Sequence, residues 1–146
     1  MKTVHRQTRR ILLADDDADV RGITKMLLEN YGHRVTATDC GQEALHVFSM
    51  NQGYFDLAIL DQEMPDLKGI DVASRLIGLR PTMPVVLYTG CLDDDLVEKA
   101  RKAGIKEVAS KPLSIALLLE LIDRNSTGAP VNRRRKDRGR ECGWLA

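Results

Sequence analysis

The chain has 146 residues, 43% of them apolar but only 4% aromatic, enough for one domain whose core is mainly Leu, Ile, Val and Ala. No apolar run approaches the ~18 residues of a membrane span; the basic start has no apolar stretch of a secretory signal, and Cys40, Cys91 and Cys142 form no CxxC, so membrane, export, disulfide and zinc readings are disfavoured and a reducing cytoplasm is expected. The net charge of +1 conceals an asymmetry: residues 125–146 hold six Lys/Arg and two Asp/Glu, whereas the rest carries 16 basic and 19 acidic residues.

Residues 10–14 read as a strand, and residues 17–30 as a helix with Val20, Ile23, Leu27 and Tyr31 at one-face spacing, stopped by Gly32. Residues 35–38 form a short strand and 42–50 a helix. Residues 56–60 are nearly all apolar, as suits a strand buried on both faces of a parallel sheet. Asp66 is placed to cap a helix over 67–79, which Arg80-Pro81 ends. A strand over 84–89, a helix over 93–103 stopped by Gly104, a strand over 107–109 and a helix over 113–124 complete the series. Five strands alternating with five helices indicate an α/β fold with a right-handed, doubly wound parallel sheet. The expected division is a lead at 1–8, a domain at 9–124 and a basic tail at 125–146. Only Trp144 accompanies the tail's arginines, so a solvated tail is favoured over a nucleic-acid contact.

The chemistry sits at strand ends. Asp15 and Asp16 follow the first strand, Asp61 the third and Thr89 the fourth, and Lys111 precedes Pro112 after the fifth. In an open parallel sheet these ends form the ligand crevice. An isolated Asp there is usually a turn former and an isolated Thr a strand former, but the joint occurrence in chain order argues for a site. Asp61 is the candidate nucleophile, since a carboxylate can attack phosphorus to give an acyl phosphate. Adjacent Asp15 and Asp16 repel unless a cation such as Mg²⁺ (or Mn²⁺) lies between them. Thr89 can donate to a phosphoryl oxygen and Lys111 can offset its charge.

These residues carry a resemblance. Ile-Leu-Leu-Ala-Asp-Asp-Asp at 11–17, Asp-Leu-Ala-Ile-Leu-Asp-Gln-Glu-Met-Pro-Asp-Leu-Lys-Gly at 56–69, Pro-Val-Val-Leu-Tyr-Thr-Gly at 84–90 and Ser-Lys-Pro-Leu at 110–113 resemble the receiver domain of two-component response regulators. The resemblance implies that Asp61 accepts phosphate from a histidine kinase or a histidine phosphotransfer protein. It implies Mg²⁺ on Asp16, Asp61 and the backbone carbonyl of Glu63, with Asp15 acting through water. Thr89 and Lys111 would contact the phosphoryl group, Lys111-Pro112 would be cis, and the five-stranded sheet would be flavodoxin-like with strand order 2-1-3-4-5.

Several positions depart from the family. Many receivers carry Tyr or Phe three residues before the lysine, where Val108 stands here; the signal then passes through Thr89 and its loop, or the domain relays phosphate without reshaping. Gly90 replaces a frequent Ala, and Glu63 and Cys91 are expected to tune the phosphoryl lifetime. His5, His33 and His46 match no motif and are read as surface residues. In the last helix, Ile115, Leu118, Leu119 and Ile122 are read as facing the sheet, which leaves Leu117 and Leu121 outside as a possible homodimer or partner surface. The reading is a phosphoacceptor receiver, not a turnover enzyme, that signals through a protein partner. The alternatives are the C-terminal receiver segment of a hybrid histidine kinase, a phosphohydrolase of the haloacid dehalogenase type, and a pseudo-receiver that only binds.

Overall fold

The computed structural model describes residues 7–125, so the expectations for the basic tail and for His5 lie outside the described residues. Its elements are β1 (Arg10–Ala14), α1 (Ala18–Asn30), β2 (Arg34–Thr38), α2 (Gly41–Met50), β3 (Leu57–Asp61), α3 (Gly69–Leu79), β4 (Val85–Thr89), α4 (Asp94–Ala103), β5 (Glu107–Ser110) and α5 (Ile115–Asn125). All strand pairs are parallel, in the order β2-β1-β3-β4-β5.

Alternation along the strands divides the core in two. Leu12, Ala58, Leu60, Val85, Leu87 and Val108 pack with Ala44 and Phe48 of α2, Val72 and Leu76 of α3 and Ala100 of α4. Ile11, Leu13, Leu57, Ile59, Val86 and Ala109 pack with Leu28 of α1 and with α5. Each central strand therefore needs apolar residues at both parities, which is why β3 reads as an unbroken apolar run. Arg124 donates to Glu107 at 2.7 and 2.8 Å and ties the end of α5 to β5.

Four local expectations are corrected. Ile23 and Tyr31 of the expected α1 stripe are 54% and 49% exposed, and Leu28 is the buried residue. Ile23 lies roughly 140° round the helix from Leu28, so the face that meets the sheet is displaced from the expected one. On α5, Leu121 is only 1% exposed and belongs to the core with Leu118, Leu119 and Ile122, while Leu117 is partly buried against them. The buried arc is wider than one stripe, so Leu117 and Leu121 do not form an outward pair. His33 is 4% exposed rather than on the surface, and its Nδ1 accepts the Arg9 amide at 3.1 Å.

The fourth correction concerns Asp66. Lys68 occupies the N-cap of α3 without a side-chain bond. Asp66 instead accepts the Gly41 and Gln42 amides of α2 at 2.9 and 2.8 Å, where Cys40 offers no side-chain cap. Gln62 Oε1 in turn accepts the Ile70 amide of α3 at 2.9 Å. The loop after β3 thus satisfies the orphan donors of two helices. It can do so because α3 begins hard against β3: a Cβ at Gly69 would lie 2.4 Å from the Asp61 carbonyl oxygen.

Candidate functional site

Asp61 is the last residue of β3, in register with Tyr88 of β4, and its side chain is buried. Lys111 Nζ lies 3.1 Å from Asp61 Oδ2 and 3.8 Å from Asp15 Oδ2. Asp61 Oδ1 accepts the Glu63 amide at 3.1 Å. Asp15, equally buried, accepts the Asp17 amide on Oδ1 at 2.9 Å. Asp16 is exposed at the rim, and one carboxylate oxygen from each of Asp15, Asp16 and Asp61 lies within 4.8 Å of the others. Three carboxylates so close, offering oxygen donors alone, are a set that could hold a hard divalent cation such as Mg²⁺.

Burial pushes the Asp61 carboxyl up from its ordinary 3.8. The Lys111 and Glu63 hydrogen bonds oppose that shift, and the Asp15 charge adds to it. One ammonium therefore leaves the paired buried carboxylates undercompensated, which is the electrostatic condition that favours a second cation.

Tyr88 went unread in the sequence, where it passes for a strand-forming aromatic. Its hydroxyl donates to Asp15 Oδ2, and Lys111 Nζ stands 4.9 Å over its ring. Burial, followed by the Asp15 hydrogen bond, pushes the phenol well above its ordinary value of 10.0, so it stays a donor. The available signal was period two: Val86 and Tyr88 share one face of β4, the face on which the neighbouring strand presents Ile59 and Asp61.

Thr89 is buried, and its hydroxyl donates to Glu63 Oε2 at 2.6 Å. It joins the acidic group through Glu63, whose amide holds Asp61. The Lys111 amide donates to the Thr89 carbonyl at 2.8 Å, and the Lys111-Pro112 bond is cis. Cys91 is exposed, with its amide on Thr89 Oγ1 at 3.0 Å. A Cβ at Gly90 would meet no atom within 4 Å. Among the described residues no helix is long and apolar enough to cross a membrane.

Residues 11–123 match the family model of the response regulator receiver domain. Transcriptional regulatory protein PdtaR of Mycobacterium tuberculosis is 38% identical over 116 residues, which are 79% of this chain and 55% of that protein. Sensor histidine kinase AruS of Pseudomonas aeruginosa is 31% identical over 125 residues, 83% of this chain and 12% of that protein. The chain thus spans about half the length, or less, of these curated relatives. A crystal structure of a response regulator receiver domain protein from Clostridium thermocellum has a TM-score of 0.75 at 32% identity, covering 78% of this chain and 90% of that one.

Proposed function

The chain belongs to the response regulator receiver domain family, and on that premise we propose that it is a phosphoacceptor of a two-component phosphorelay, with Asp61 taking the phosphoryl group. The observation that carries this reading is the placement of Asp61 Oδ2 at 3.1 Å from Lys111 Nζ, beside the Asp15 and Asp16 carboxylates. The donor is a histidine kinase or a histidine phosphotransfer protein.

An Asp61 oxygen forms a bond to phosphorus as the phosphorus–nitrogen bond of the donor phosphohistidine breaks. The imidazole, protonated on its other nitrogen, leaves as the neutral base with the bonding pair. Lys111 offsets the negative charge on the acceptor side, and the Thr89 hydroxyl supplies a hydrogen bond to a phosphoryl oxygen. Asp16, Asp61 and the Glu63 carbonyl would hold Mg²⁺ or Mn²⁺ directly, with Asp15 behind a water; the ion supplies charge neutralisation. Tyr88 keeps Asp15 in place for that role.

The test is incubation with acetyl phosphate and Mg²⁺ followed by intact mass measurement. The wild type is expected to gain ~80 Da, one phosphoryl group, and Asp61→Asn to gain nothing. Equal gains, or no gain in either, would remove Asp61 from the role. Similarity to a short part of a sensor histidine kinase favours a second reading, the receiver segment of a hybrid kinase, in which the same aspartate takes phosphate from its own chain.

A further inference from the structure

The loop after β3 turns its own carboxylate onto the donors at the end of β4. Glu63 Oε2 accepts the Thr89 hydroxyl at 2.6 Å, and Glu63 Oε1 lies 3.4 Å from the Gly90 amide nitrogen that donates to it. The Cys91 amide donates to Thr89 Oγ1 at 3.0 Å, so the oxygen's accepting side is engaged and its single proton goes to Glu63. The Glu63 backbone amide meanwhile sits on Asp61 Oδ1 at 3.1 Å. One residue therefore bridges the nucleophile and the hydroxyl, with its side chain on the exposed rim and Thr89 fully buried.

A hydroxyl serves one acceptor at a time. A phosphoryl group on Asp61 that takes the Thr89 proton must take it from Glu63, and two anions side by side repel across the same gap. We infer that Glu63 is an internal competitor for the phosphoryl site: its carboxylate fills the Thr89–Gly90 donor pair in the unmodified protein and is displaced into solvent when Asp61 is phosphorylated. This rests on the phosphoacceptor reading above. It also supplies a signal that Val108 cannot. Val108, in register with Leu87 inside the core, has no ring to turn. A carboxylate released at the rim between β3 and β4 changes the charge of the surface that a partner meets.

Beryllofluoride, a tetrahedral mimic of an acyl phosphate, tests the competition. It is titrated with Mg²⁺ onto the full chain and followed by ¹⁹F NMR, in wild type, Glu63→Ala, Thr89→Val and the double variant. Glu63→Ala is expected to bind roughly five- to tenfold tighter than wild type, the worth of one partly exposed charge-assisted hydrogen bond. In the Thr89→Val background, which has no hydroxyl to compete for, the same change is expected to gain about twofold or less. Equal gains in the two backgrounds would reduce Glu63 to a repelling charge and overturn the competition. No gain in the Thr89 background overturns it as well. A wild type that fails to bind beryllofluoride instead overturns the phosphoacceptor reading, and the inference with it. The contact itself is checked without any ligand: the Gly90 amide proton is expected to move upfield in Glu63→Ala, and an unmoved resonance overturns the bridge.

Discussion

The Tyr88 hydroxyl donates to Asp15 Oδ2 while the Lys111 ammonium stands 4.9 Å above the centre of the same ring. The residue therefore touches both signs of charge in the site, an anion at its polar tip and a cation on its π face. Asp15 has no exposed surface on which water could replace that donor.

Tyr88→Phe keeps the ring beneath Lys111 and removes only the hydroxyl. Asp15 is then left with the Asp17 amide and a lysine at 3.8 Å. The variant is expected to lose about 1–3 kcal/mol in EDTA, the cost of a buried acceptor deprived of its donor, and less in Mg²⁺. Calorimetry in the two media checks this; an unchanged melting temperature in EDTA would show that the bond contributes nothing.

Asp61 gives a pH dependence whose sign can be worked out. Burial raises its folded value from 3.8 to about 7, so the folded chain holds this proton more tightly than the unfolded one. The associated stability is complete below 3.8 and is lost as the pH rises through about 7. Asp61→Asn removes the penalty, so in EDTA it is expected to melt above wild type at pH 8, with the difference closing toward pH 4. Melting curves across that range decide the matter; a variant that melts below wild type at pH 8 would contradict the burial argument.

Asp66 gives the opposite slope. Desolvation raises its carboxyl, but the amides of Gln42, Gly41 and Leu67 and its own amide outweigh that and hold it below 3.8. Its contribution is therefore present above 3.8 and fades as the pH falls through the lower folded value. Asp66→Ala is expected to cost about 0.5–2 kcal/mol near neutrality, the usual worth of an N-cap. The gap to wild type narrows in acid. Urea unfolding at pH 7 and in strong acid measures both, and a pH-independent gap would mean that the charge on the cap is immaterial.

How much of this was legible in sequence depended on how far apart the partners lie. The strand ends were readable because a short apolar run followed by Asp, Thr or Lys is a local pattern, and the parallel order of the strands carries those ends to one edge of the sheet. The resemblance rests on the same stretches. Asp66 misled for a local reason: it stands two residues before the N-cap of α3, and nothing nearby announces that Gly41 and Gln42, 25 and 24 residues away, need its oxygens more. Leu121 misled because a 3.6-residue period fixes spacing but not the width of the arc that packing will cover.

Composition and periodicity by themselves determined a five-stranded α/β domain and the positions of Asp15, Asp16, Asp61, Thr89 and Lys111, since each follows from the chain's local alternation of strand and helix. Only the tertiary structure decided that Tyr88 holds Asp15, 73 residues away, and that Glu63 reaches Thr89, 26 residues away. The physical reason is that a hydrogen bond between distant segments is chosen by which donors and acceptors burial leaves facing each other, and that choice leaves no periodic trace in the chain.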